Sequence, residues 1–162
     1  MHTQWLTFAE VDWSNPVGAA LREAQQRELT VLAGDPLHEP GPPPSADDMP
    51  LFLVAYKRSS GEPLGCGGLR RLDGHTAEIK RVYVVPYARG SGVSFEILNA
   101  LEARAAREGY LELRAEAGSF QHNGRRFYER GGYSVIPGFG PYAGNADSRC
   151  YAKVLRRTVP VG

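Results

Sequence analysis

The sequence predicts a mixed α+β fold, and three observations carry that expectation. Between Leu51 and Val85, three segments rich in aliphatic, β-branched and aromatic residues follow one another with only short turns between them. Two further stretches, one before and one after this block, repeat apolar residues at helical spacing. Strand-like segments return after each helix, so the order along the chain reads β-α-β-β-β-α-β-α-β-β. With 162 residues, 42% of them hydrophobic and 23% charged, the chain can bury one full-sized core, and a single domain over 1–162 is expected.

Each element has a local reason. Leu6 to Val11 is short and mixed, as an edge strand is. Ser14-Asn15-Pro16 supplies a capping side chain and a proline suited to a helix's first turn. Val17, Ala20, Leu21, Ala24, Glu28 and Val31 then keep the helical period to about Leu32, and Gly34 ends it. Residues 34–50 hold six prolines and two glycines without apolar periodicity, so they form a loop. Its length suits a lid, a substrate-binding loop or a disordered segment. Leu51–Lys57 and Leu64–Arg70 make a hairpin around Arg58–Pro63, and Thr76–Val85 is the third strand of the block. After Pro86 and Arg89-Gly90-Ser91-Gly92 comes a helix in which Val93, Ile97, Leu101 and Ala105 recur every four residues, closed by Gly109. Leu111–Ala117 alternates as a strand, Gln121–Arg130 is a short helix ended by Gly131-Gly132, and Tyr133–Ile136 and Arg149–Leu155 are the last strands.

Composition excludes several functions. The formal net charge of +1 offers no uniform field for a phosphate backbone, so no nucleic-acid partner is expected. Neutrality conceals an asymmetry: residues 1–50 carry eight acidic and two basic side chains, and the remainder sums to +7. A basic part suits an anionic ligand and an acidic part a cationic one, although two solvated surfaces can differ in this way without function. No apolar run approaches the roughly 20 residues of a membrane span, and Met1 to Glu10 lacks the form of a secretion signal. Cys66 and Cys150 form neither a C-x-x-C pair nor a disulfide framework, and with four scattered histidines they offer no metal spacing. A cytoplasmic protein without a metal is the expectation.

The most informative segment runs from Ala77 to Val93. A strand that passes through a glycine turn into a helix presents unpaired N–H groups at the positive end of the helix dipole, an anion site. Gly90 and Gly92 allow close approach of phosphate oxygens, and Arg89 adds charge; the competing reading is a tight connection and nothing more. No Lys follows Gly92 and Phe95 stands three residues after it, so neither a P-loop nor a dinucleotide fingerprint is present. The segment Arg89-Gly90-Ser91-Gly92-Val93-Ser94 resembles the acyl-coenzyme A loop of the GNAT superfamily of N-acetyltransferases, [R/Q]-x-x-G-x-[G/A], with Ser94 at a position where the family has Gly or Ala. The resemblance extends from about Leu51 to Leu155. Gln121 to Tyr133 looks like the family's N-x-x-A-x-x-[L/F]-Y-x-x-x-G-[F/Y], matching at Phe127, Tyr128, Gly132 and Tyr133 and departing at Gln121 and Gly124. Ile136–Tyr142 and Ser148–Cys150 resemble a bacterial subgroup of the same superfamily.

That resemblance implies a GNAT fold: a central mixed, mostly antiparallel sheet of six to seven strands flanked by helices. It implies acetyl-CoA as co-substrate, with Val82, Tyr83 and Val84 along the pantetheine and Arg89, Gly90, Ser91, Gly92, Val93 and Ser94 around the pyrophosphate. It implies that Tyr128 protonates the leaving thiolate, against the alternative of a core tyrosine anchoring its helix. It places at Glu78 a carboxylate that removes the amine proton directly or through water. The alternative there is an exposed strand-edge glutamate paired with Lys80 or Arg70. His75 and His122 read as solvated or capping residues and the two cysteines as buried inert thiols. Phe139, Tyr142 and Tyr87 are placed either in an acceptor pocket or in ordinary packing. The expected activity is acetyl transfer to a primary amine of a small molecule or peptide by direct attack in a ternary complex, with a homodimer compatible with the family. A non-catalytic acyl-CoA-binding sensor, motivated by Ser94 and Gly124, is the alternative.

Overall fold

The computed structural model describes residues 5–156, so the outermost residues of the expected 1–162 domain lie outside it. The strands are β1 (Leu6–Glu10), β2 (Leu51–Lys57), β3 (Pro63–Arg71), β4 (Thr76–Val84), β5 (Glu112–Gly118), β6 (Ser134–Ile136) and β7 (Ser148–Val154), and the helices are α1 (Pro16–Ala33), α2 (Val93–Arg107) and α3 (His122–Arg130). They form one seven-stranded sheet in the order β1-β2-β3-β4-β5-β7-β6, antiparallel except for the β4–β5 pair.

Period-two alternation decides which side chains meet which helix. Leu51, Leu53 and Ala55 of β2 point to the face covered by α2, where Ile97, Leu98, Leu101 and Ala105 are fully buried. Phe52 and Val54 point to the opposite face and join Leu21 of α1, Cys66 and Tyr83. The glycines of β3 let α2 lie close: a Cβ at Gly65 or Gly67 would stand 2.9 Å from Ile97. Helix α1 begins as expected, with Asn15 accepting from Val17 N and Gly18 N and Pro16 in the first turn, and it ends at Gly34 in the left-handed conformation.

The 34–50 segment holds no regular element but is tied down. Arg70 donates to the Pro42 carbonyl at 3.0 Å and pairs with Asp48, while Glu39 reaches Lys80 and Arg81 of β4. It covers the face of β4 that bears Thr76, Glu78 and Lys80, all buried.

Candidate active site

The site begins with a break in the sheet. β4 and β5 pair only from Thr76–Glu78 to Glu112–Arg114; beyond that β5 continues against β7 while β4 runs on against β3. The strands part, and a cleft of about 570 Å³ occupies the gap, bounded also by α1, α3 and the turn before α2.

The free edge of β4 faces that cleft. Val85 N donates to Leu64 O, and Tyr83 is registered against Cys66, so the backbone groups of Val82 and Val84 point away from β3. Their carbonyls are already engaged, Val82 O by Gln25 Nε2 at 2.8 Å and Val84 O by Arg89 Nε at 2.9 Å. The N–H groups of this edge are therefore what β4 has left to offer a ligand lying along it. Arg81 sits at the irregularity in the β3–β4 pairing with φ of 61°, the one non-glycine residue with positive φ among the described residues. A bulge there bends the strand at the point where it leaves β5.

At one end of the cleft lies the glycine turn. Gly90 and Gly92 have φ of 81° and 87°, and a Cβ on either would meet no atom within 4 Å. Both are glycine because the backbone is left-handed, and the space beside them is open. Gly92 caps α2, so the first N–H groups of that helix, at Val93 and Ser94, open onto the cleft. Ser91 does not line it; its hydroxyl donates to Ala88 O and shapes the turn. Arg89 lines it, but its guanidinium is held by Glu28 of α1 at 2.7 Å and by Val84 O, which makes it a tie between α1 and the end of β4.

The other end holds the titratable groups. Tyr128 of α3 is buried in a cluster with Phe127, Tyr133 and Tyr151 yet borders the cleft. Tyr133, Tyr142 and Tyr151 each donate to a glutamate, whereas the hydroxyl of Tyr128 takes part in none of these bonds. Burial raises its phenol above the ordinary 10, and the charges of Glu78 and Glu116 add to that. Glu78 is not an exposed strand-edge residue: it is 2% exposed, accepts from Tyr142 Oη at 2.6 Å and stands 3.7 Å from Lys80 Nζ, while Arg70 turns to Asp48. Glu39 also points here. Burial opposes its charge, but the hydrogen bond from Arg81 and the charge of Lys80 outweigh that and hold its carboxyl down at about 2.

Thus Glu78, Val82, Tyr83, Val84, Arg89, Gly90, Gly92, Val93, Ser94 and Tyr128 border one cavity. Of the aromatic candidates, Tyr142 is buried behind Glu78 with the Phe139 ring packed edge-to-face against it, and Tyr87 is exposed and bonded to Glu62. His75 lies in the turn that Asp73 caps, and His122 opens α3 at the rim of the cleft. Both cysteines are free and buried, and burial pushes the Cys66 thiol up to about 12. The Gly124 departure leaves the geometry intact, since a Cβ there would find only ordinary contacts at 3.5 and 3.7 Å. Sequence reading overlooks Gln25, Glu39 and Glu116, which lie on elements that carry no motif. No group of three or more His, Cys, Asp or Glu that could hold a metal occurs among the described residues, and no described helix is long and apolar enough to cross a membrane.

The same arrangement recurs in known proteins. The structure superposes on an assigned acyl-CoA N-acyltransferase of Klebsiella pneumoniae with a TM-score of 0.78 and 28% identity, over 93% of this chain and 98% of that one. A GNAT family acetyltransferase of Elizabethkingia anophelis with acetyl-CoA bound shares the fold, with a TM-score of 0.68, 17% identity and coverage of 94% and 99%. An IAA acetyltransferase of Azospirillum brasilense is 36% identical over 92 residues, 56% of this chain and 59% of that protein's length. The acetyltransferase (GNAT) family model matches residues 17–133, more than two thirds of the chain, and with the sheet and cleft described above it shows that this protein belongs to the GNAT acetyltransferases and is an acyltransferase.

Proposed function

We propose that the protein transfers an acetyl group from acetyl-CoA to a primary amine by direct attack within a ternary complex. The observation that carries this reading is the continuity of the cleft: one cavity runs from the glycine turn, along the free N–H edge of β4, to Tyr128 and the carboxylates. The pyrophosphate of acetyl-CoA would take the N–H groups of residues 90–94, and its pantetheine arm would take those of Val82 and Val84. That alignment brings the thioester to the end of the cleft where Tyr128 waits. Its raised phenol stays protonated, so the hydroxyl keeps a proton to deliver to the thiolate as the carbon–sulfur bond breaks. Neither cysteine borders the cleft among the described residues, which supports attack by the amine itself over an acyl-cysteine route.

The test is release of CoA from acetyl-CoA in the presence of a broad panel of primary amines. Saturable acetyl-CoA binding with amine-dependent release is expected in the wild type, and loss of both in Gly92→Trp, whose indole would fill the phosphate space. Acetyl-CoA binding without release across the whole panel would replace this reading with a sensor.

A further inference from the structure

The carboxylates bordering the cleft differ in what balances them. Glu28 is paired with Arg89, Glu39 with Lys80 and Arg81, and Glu78 stands against Lys80 under the Tyr142 hydroxyl. Among the described residues Glu116 is in no ion pair: its Oε2 accepts the Ser148 hydroxyl, at 2.7 Å. It lies two residues past Arg114, the last β5 residue paired to β4, on the same face as Glu78 and Lys80, where the strands have parted. Counting the acidic end as a unit, Glu39, Glu78 and Glu116 face Lys80 and Arg81, so one negative charge is left over.

Resting on the acetyl-transfer reading above, we infer that Glu116 receives the acceptor's ammonium group and takes its first proton. Burial raises the Glu116 carboxyl above the ordinary 4.5 against the bond from Ser148, and Glu78 and Glu39 add to the rise while Lys80 opposes it. The groups around it are Glu78 and Lys80 of β4, Glu39 of the 34–50 segment, Tyr142 of the turn before β7, Ser148 and Cys150 of β7, and Tyr128 of α3. The ammonium gives one proton to Glu116, which passes it to solvent at the mouth of the cleft. The amine nitrogen then bonds to the thioester carbon, the carbon–sulfur bond breaks, Tyr128 protonates the sulfur, and the second nitrogen proton restores Tyr128.

The charges at this end also select the substrate class. Lys80 and Arg81 are both held by Glu39, so at this end no described lysine or arginine is left to bind an anion. The acceptor is a cationic primary amine with no carboxylate or phosphate beside its nitrogen, its carbon skeleton lying against the His38–Phe120 wall.

Titration calorimetry on the CoA-loaded protein tests this with pentylammonium, its neutral counterpart 1-pentanol, and norleucine, which adds a carboxylate. The wild type should prefer pentylammonium to both by about tenfold; Glu116→Gln should lose that preference, and Glu116→Asp should keep most of it. A kinetic arm compares pentylamine with trifluoroethylamine, which is neutral at pH 7. Glu116→Gln should lower kcat/KM for the first by about 100-fold and for the second by less than about tenfold. CoA affinity and circular dichroism report the fold of each variant. Equal binding of pentanol and pentylammonium by the wild type, retention of the preference in Glu116→Gln, or its selective loss in Glu78→Gln would overturn the assignment. A wild type that binds no acetyl-CoA would instead overturn the acetyl-transfer reading.

Discussion

At the scale of single residues, the site depends on what each side chain is not doing. Tyr128 is buried among aromatic rings like any core tyrosine, and what distinguishes it from Tyr133, Tyr142 and Tyr151 is a hydroxyl left out of the bonds to glutamate that engage those three. Tyr128→Phe removes that hydroxyl and no packing, so kcat should fall by about 100-fold with the dissociation constant for acetyl-CoA unchanged, measured by steady-state kinetics and calorimetry. Because the phenol is raised above its ordinary 10, its proton is retained over the whole assay range, and Tyr128 should contribute no falling alkaline limb to the wild-type profile below about pH 10. A full-rate Tyr128→Phe variant would remove the donor role. Tyr128 was legible in the sequence because Phe127, Gly132 and Tyr133 flank it at family spacing. Glu116 was not: in Leu111–Ala117 it looks like any outward residue of an alternating strand, and only the parting of β4 from β5 gives it a cleft to face.

Among elements, the proline-rich segment is the one whose role sequence could not settle. Thr76, Glu78 and Lys80 alternate with Ala77 and Ile79, the pattern of a strand with one wet face. Residues 34–50 reach that face, where Glu39 holds Lys80 while Pro42 and Asp48 hold Arg70 of the neighbouring β3, and Thr76, Glu78 and Lys80 are buried. Side chains distant in sequence decide this, Glu39 lying 41 residues from Lys80, which no local period can show. The attachment carries a pH signature. Glu39 has its carboxyl at about 2 in the folded chain against an ordinary 4.5, so its ion pairs contribute fully above about pH 4.5 and are lost as pH falls through about 2. The shift sets a ceiling of about 3 kcal/mol on that contribution. Glu39→Gln should therefore lower thermal stability at pH 7 and flatten its decline between about pH 4.5 and 2, with melting followed by circular dichroism across that range. A variant whose melting temperature keeps the wild-type pH slope would show that Glu39 does not hold the segment down.

For the molecule as a whole, the binding cleft and the core are built from the same sheet and meet along a seam where Ile79, Val84, Val93, Ala117 and Tyr128 serve both, but they differ in what completes them. The face under α2 is filled by Ile97, Leu101, Leu53 and Leu113, each at most 1% exposed, and needs nothing from a ligand to be complete. The gap between β4 and β5 is the opposite case: β4 leaves an N–H edge unpaired there, and the first turn of α2 opens onto the same space. A ligand that satisfies those groups stabilises only the folded state, since the unfolded chain has no such edge. Acetyl-CoA at about 100 times its dissociation constant should add about 2.7 kcal/mol, which for a chain of this size raises the melting temperature by roughly 5–10 °C. Gly92→Trp separates binding from folding. Its added side chain enters open space, so the protein should still fold cooperatively, less stable by about 1–3 kcal/mol for a non-glycine residue at φ of 87°. What it should lose is the acetyl-CoA-dependent rise in melting temperature. Scanning calorimetry of both proteins with and without acetyl-CoA gives the answer: a rise of equal size in the variant would place the cofactor's phosphates somewhere other than the turn at Gly90 and Gly92.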